Sequence, residues 1–239
     1  MTKKIHILHI YPNEMNTYGD RGNLLTLIKR SEWHGLEPEV HYYHPGGQLP
    51  KDIDVILGGG GQDAAQVEIG QDIQRIAKQL HQLSADMVPM LMVCGTYQLF
   101  GNVFKTYEGH EIPGIGIFDL ETIGGTKRLI GNAAVQTDEF GTLYGFENHS
   151  GRTYLKNGQL PLGKVTRGKG NNGEDGTEGA RTNNTIGIYL HGPLLPLNPQ
   201  LADGLITMAM QHHDSNFRLQ PIDDDLVAAS RQAAAGRAY

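Results

Sequence analysis

The chain has 239 residues, 38% of them hydrophobic and 32 of them glycine, with a net charge of −6 and a pI near 6.0. That length supports one large domain with a well-buried core, or two small ones, and the acidic balance lacks the basic footprint of a nucleic-acid binder. A single cysteine excludes an internal disulfide and a multi-cysteine zinc site.

No apolar run reaches the roughly 18 residues that span a bilayer. The amino terminus, MTKKIHILHIYPNE, has neither a sustained apolar stretch nor a small-residue cleavage site, so a cytoplasmic location is expected. Eleven histidines are present, but no His-Glu-x-x-His or comparable ligand spacing, and no metal site is expected.

Lys4 to Ile10 alternates and then runs apolar, which predicts a first strand. After the turn-rich PNEMNTYGDRGN, a helix is expected from about Asn23 to His34, stopped by Gly35. Glu39 to Tyr43 reads as a second strand, and Asp54 to Leu57 as a short buried one running into Gly58, Gly59, Gly60 and Gly61. Ile69, Ile73, Ile76, Leu80 and Leu83 recur at three- and four-residue steps, the mark of an amphipathic helix. Pro89 to Val93 predicts a buried strand that ends at Cys94, and Thr96 to Phe104 a further helix.

This alternation implies a parallel sheet with helices on both faces. From Ile115 to about Lys169, short strand-like pieces between glycines suggest antiparallel strands or hairpins added to that sheet. Lys169 to Gly179 is expected to be a polar loop. Thr185 to Leu190 returns to a strand and delivers His191. Asn198 and Pro199 open a helix towards His212, with Asn as cap and Pro at the first position. Asp223 to Ala235 predicts a last helix with acidic residues at its positive end. The expected fold is α/β: a flavodoxin-like, mostly parallel central sheet, helices on both faces and added antiparallel strands. No linker divides the chain, so one domain is expected over 1–239, with a core of about 1–212 and a helical tail of about 213–239.

Chemistry concentrates at three places. Cys94 follows a buried strand and precedes a helix, an elbow that lifts a side chain out at the carboxyl edge of the sheet, where open α/β folds bind ligands. A helix amino terminus favours a thiolate there, and the Gly95 amide points where an oxyanion would form. The alternative for Cys94 is a buried structural thiol. The Gly58–Gly61 run allows backbone amides to approach a ligand closely; it lacks the Lys-Ser/Thr and the Gly-x-Gly-x-x-Gly spacing of nucleotide loops. His191 ends another buried strand, and an imidazole can take a thiol's proton and return one to departing ammonia.

Val93-Cys94-Gly95-Thr96-Tyr97-Gln98-Leu99, with the glycine run before it and Tyr189-Leu190-His191-Gly192 after it, resembles the class I (triad) glutamine amidotransferases. Gly145 to Thr153, GFENHSGRT, is similar to the Gly-Tyr-Glu-x-His-x-Gly segment of their cobyric acid synthase branch. Tyr18 to Asn23, the Gly170–Gly179 loop and Tyr189 to Pro196 further resemble the glutaminase subunits of lipid II isoglutaminyl synthases.

The resemblance implies that Cys94 is the nucleophile and His191 the acid–base, with backbone amides near Gly60 and of Gly95 forming the oxyanion hole. It implies that Gln98 touches the substrate and that Arg128 binds the glutamine α-carboxylate. It also implies that ammonia from L-glutamine passes to a Mur-ligase-like synthase subunit in a heterodimer. That partner would use ATP and magnesium to amidate the D-glutamate α-carboxylate of a membrane-attached lipid II precursor, giving D-isoglutamine; no cofactor is expected on this chain.

Two departures stand out. The orienting glutamate that the family places two residues after the histidine is replaced by Pro193. The site is therefore either a Cys–His dyad with a less well fixed imidazole or takes its orienting carboxylate from elsewhere, with Glu147 and Asp20 as candidates. Thr96 stands where many relatives have glycine. Other readings are a cysteine peptidase or deglycase on the same frame, a corrinoid-type amidotransferase component, and a non-catalytic module of the same fold.

Overall fold

The computed structural model describes residues 3–156 and 158–236; the two ends of the expected domain fall outside those bounds. The first half alternates as expected: β1 (Lys4–Ile10), α1 (Arg21–Trp33), β2 (Glu37–Tyr43), β3 (Val55–Gly58), α2 (Asp63–Ala85), β4 (Met90–Val93) and α3 (Gly95–Leu99). There follow β5 (Val103–Lys105), β6 (Glu111–Pro113), β7 (Leu120–Thr137), β8 (Gly141–Leu155), β9 (Gly163–Arg167), β10 (Thr177–Glu178), β11 (Ala180–Thr182), β12 (Thr185–Ile188) and β13 (Leu190–His191). A 3-10 turn at Leu195–Leu197, α4 (Pro199–Gln211) and α5 (Asp225–Gly236) complete the order.

Six strands form the first sheet in the order β11-β12-β4-β3-β1-β2. All its pairings are parallel except that of β11 with β12. The chain steps from β1 to β2 in one direction and from β3 to β4 in the other. Right-handed crossovers therefore place α1 and α2 on opposite faces, α1 packing with α4 and α2 with α3. The direction reverses between β1 and β3, and the crevice of an open α/β sheet lies at the carboxyl ends beside such a switch point. β3 and β4 are buried at every position, which is why they read as short continuous apolar runs.

Three expectations change. The helix expected to reach Phe104 stops after Leu99, because Val103 to Lys105 pairs with both β6 and β7; sheet pairing overrides a weak helical pattern. The short middle strands are two long ones: β7 and β8 run for 18 and 15 residues through their glycines. They belong to a second sheet, ordered β10-β9-β7-β5-β6 with β8 on β7 and β13 on β8. Asn198 begins α4 without capping it by side chain; its amide instead ties Tyr144 and Leu194.

The tail is docked ahead of α5 and by Arg231 within it, whose guanidinium donates to the Leu197 and Thr142 carbonyls at 2.6 and 2.8 Å. The buried Arg30 guanidinium pairs with Asp203 and Asp224, and His34 Nδ1 donates to the Gln220 carbonyl at 2.6 Å. No α5 side chain is buried. Among the described residues no helix is long and apolar enough to cross a membrane.

Candidate active site

Cys94 sits at the junction of β4 and α3 with φ 51° and ψ −102°. A non-glycine residue in that region costs of order 1–3 kcal/mol and is held there by its surroundings. Here the Cys94 amide donates to Ile188 O at 2.8 Å and its carbonyl accepts from Gln98 N at 3.0 Å. The side chain is 8% exposed, enough to border a cavity.

Two glycines make the close approach possible. A Cβ on Gly60 would lie 2.8 Å from His191 Cε1 and 3.2 Å from both Asp20 Oδ2 and Cys94 Cβ. A Cβ on Gly95 would lie 2.5 Å from Met15 Cε and 2.9 Å from the Gly61 nitrogen. Cys94, His191 and Asp20 therefore converge around one glycine, and any side chain there would separate them.

His191 Nδ1 lies 3.1 and 3.2 Å from the two Asp20 oxygens, with both side chains 1% exposed. A carboxylate only accepts, so Nδ1 carries the hydrogen and Nε2 is left for the thiol side. Nε2 is buried and has no partner among the described residues. Burial by itself would lower the imidazole pKa; the adjacent Cys94 and Asp20 outweigh it and push it up to about 10. The surroundings thus favour the charged form of the His191 imidazole.

Asp20 answers the question left by Pro193. That proline packs against Gly22, where a Cβ would sit 2.2 Å from Pro193 Cγ, and the contact seats the start of α1, whose first flanking residue is Asp20. Glu147 is occupied elsewhere: its carboxylate accepts the Lys169 and Gly170 amides at 2.8–2.9 Å and pins the glycine loop.

Gly60 requires a correction. Its amide donates to Asp20 Oδ2 at 2.7 Å, so it orients the carboxylate and is not available to an oxyanion. The Gly61 and Gly95 amides have no hydrogen-bond partner among the described residues, and the Gly61 nitrogen lies 2.9 Å from where a Cβ on Gly95 would sit.

A cavity of about 280 Å³ opens from Cys94 between the two sheets. Arg128 lines it from the stretch where the β7–β8 register shifts, between Gly124 and Leu129; such a bulge re-aims side chains. Its Nε donates to Asn148 Oδ1 at 2.6 Å, and its Nη2 to the Asn148 carbonyl at 2.6 Å and the Tyr18 hydroxyl at 3.0 Å. Gln98 also lines the cavity, but its side chain is engaged: Oε1 accepts from Gln66 Nε2 at 2.9 Å and Nε2 donates to the Tyr189 hydroxyl at 3.0 Å. Gln66 and His149, neither singled out as a site residue from the sequence, complete the wall. The available signal was a polar residue on the buried face of α2 and a histidine inside a recognisable segment.

A larger cavity of about 550 Å³ lies beside Lys4, His6 and His213, where none of the expected site residues reaches. Near it, on β1 and β2, is the one set of three potential metal ligands that draws together among the described residues, His6, Glu39 and His41.

Comparison with known proteins places this geometry. Residues 6–199 match the model of the CobB/CobQ-like glutamine amidotransferase domain. The chain belongs to that family. The chain is 36% identical to the lipid II isoglutaminyl synthase (glutamine-hydrolyzing) subunit GatD of Staphylococcus aureus, over 98% of this chain and 96% of that protein. Its identity to the GatD subunit of Streptococcus pneumoniae is 37%, over 93% and 87%. A probable cobyric acid synthase of Methanothermobacter thermautotrophicus is 30% identical over 61% of this amidotransferase and 31% of that protein. Among solved structures, a glutamine amidotransferase superposes with a TM-score of 0.60 over 85% of this chain and 98% of its own, at 13% identity. PurLQS from Thermotoga maritima gives 0.56 over 89% and 97%, at 14% identity. These superpositions carry the fold alone, a mixed α/β architecture.

Proposed function

We propose that this amidotransferase is the glutaminase subunit of a lipid II isoglutaminyl synthase, and that Cys94, His191 and Asp20 form its triad. The observation that carries this reading is the convergence of the three side chains around Gly60, supported by near full-length similarity to two GatD subunits.

In this reading the Cys94 thiolate attacks the γ-carboxamide carbon of L-glutamine. The Gly61 and Gly95 amides receive the oxyanion. The His191 imidazolium, held by Asp20, gives its Nε2 proton to the departing nitrogen, so ammonia leaves and a thioester remains. A water molecule then gives a proton to Nε2 and its oxygen attacks the thioester; the C–S bond breaks, releasing glutamate and restoring the thiolate. Arg128 holds the α-carboxylate by charge-assisted hydrogen bonds.

The ammonia would pass to a Mur-ligase-like partner that binds ATP and magnesium and amidates the α-carboxylate of D-glutamate in the stem peptide. Cytoplasmic placement follows from that partnership. The test is alkylation by 6-diazo-5-oxo-norleucine, with and without the co-purified partner. Labelling confined to Cys94 and absent in Cys94→Ala is expected; an assembled complex that takes no label would sink the reading.

A further inference from the structure

GFENHSGRT contributes a residue that the triad does not use. His149 lies on β8 and is buried, and it lines the same cavity as Cys94 and Arg128. Its Nδ1 is 2.8 Å from the Gly151 carbonyl. A carbonyl only accepts, so Nδ1 carries the hydrogen and Nε2 presents a lone pair. That Nε2 is buried with no partner among the described residues, an uncommon state for a buried polar atom and one that calls for a donor.

The ring cannot easily turn away. It stacks on Tyr189 at 3.7 Å with 6° between the planes, and the Tyr189 hydroxyl is itself tied to Gln98 and Thr153. Nor does it become a donor near neutrality: burial first, and then the nearby Arg152, His191 and Arg128 charges, hold its pKa down to about 3 despite the Gly151 hydrogen bond. His149 therefore sits within electrostatic reach of both the acid–base histidine and the arginine, as a fixed neutral acceptor.

We propose that His149 is the residue that distinguishes glutamine from glutamate, its Nε2 accepting an N–H of the substrate γ-carboxamide. The assignment rests on the glutaminase reading above. Glutamate carries the same α-carboxylate and α-ammonium, so Arg128 holds both molecules alike. At the γ position it offers only oxygen lone pairs, which the lone pair of Nε2 repels. The same contact that seats the amide thus disfavours the product once the thioester is hydrolysed, and a polar site built for one hydrogen-bond partner discriminates strongly against the analogue that lacks it.

The test uses the full-length chain in two variants, His149→Phe, which keeps the stack on Tyr189 and removes the acceptor, and His149→Gln, which restores one. Glutamine KM and kcat, the glutamate inhibition constant, thermal melting and Cys94 alkylation are measured on each. His149→Phe is expected to raise the glutamine KM about tenfold, the loss of one buried hydrogen bond. The glutamate inhibition constant should fall, because the repelling lone pair is gone, and His149→Gln should recover most of the loss in glutamine KM. An unchanged glutamine KM overturns the assignment. So does a parallel weakening of glutamine and glutamate, or a fall in melting temperature without rescue by glutamine at 149. If the wild-type chain assembled with its co-purified partner neither hydrolyses glutamine nor is alkylated at Cys94, the glutaminase reading itself fails, and the role of His149 fails with it.

Discussion

At the scale of single residues, the site depends on a carboxylate that is distant in sequence. Asp20 and His191 are 171 positions apart, yet Nδ1 meets the carboxylate at 3.1 Å. With Pro193 in place of the usual acid, the sequence left Glu147 and Asp20 as candidate carboxylates; the structure supplies Asp20, the residue that precedes α1. Asp20→Asn keeps the shape and removes the charge that supports the imidazolium. It is expected to lower kcat for glutamine hydrolysis by about 10²- to 10⁴-fold with little change in KM. Ammonia release measured under saturating glutamine checks this, and a loss of less than about threefold would remove Asp20 from the mechanism.

At the scale of elements, local reading went far. The strand ending at Cys94, the glycine run after β3 and the strand before His191 were all legible, because burial on both faces writes continuous apolar runs and turns write glycines. The length of α3 and the long β7–β8 ribbon were not, since both are settled by pairing with strands elsewhere in the chain. The seating of α1 was equally hidden. It turns on Gly22, where a Cβ would sit 2.2 Å from Pro193 Cγ. Gly22→Ala must push the two segments apart and displace the Asp20 end of the helix. It should lower the melting temperature by about 3–10 °C, as overpacking of roughly 1–3 kcal/mol implies, and reduce glutaminase activity with it. Leu25→Ala, on the exposed side of the same helix, serves as the control and should change neither.

At the scale of the whole molecule, the site lies on the seam between the sheets. Cys94 and the glycine run come from the parallel sheet; His191, Arg128 and His149 come from the second. Tyr189 joins β12 of one sheet to β13 of the other, and its amide donates to the buried Glu178 carboxyl at 2.6 Å. Burial raises the Glu178 pKa to about 8, against an ordinary value of 4.5. Because the folded value lies above the unfolded one, the native state retains a proton that the unfolded chain releases. Its contribution to stability is complete below about 4.5 and declines as pH rises through about 8. Glu178→Gln removes that dependence. Relative to the wild type, the variant should gain melting temperature on going from pH 5 to pH 8.5, by about 2–4 °C per kcal/mol. A constant difference between the two proteins across that range would show that Glu178 is ionised in the folded chain.

The sequence by itself determined the alternating α/β core, the elbow at Cys94, the position of His191 at a strand end and the family to which the segments belong. These are properties of runs of fewer than about ten residues, where side-chain period and turn chemistry act directly on the local backbone. Only the tertiary structure decided which carboxylate orients His191, that the Gly60 amide serves Asp20, that the β7–β8 bulge aims Arg128 at the cavity, and that His149 faces it with an unpaired nitrogen. Each of those outcomes joins segments from different sheets or from opposite ends of the chain, and no local period encodes which distant partner a strand or helix will meet.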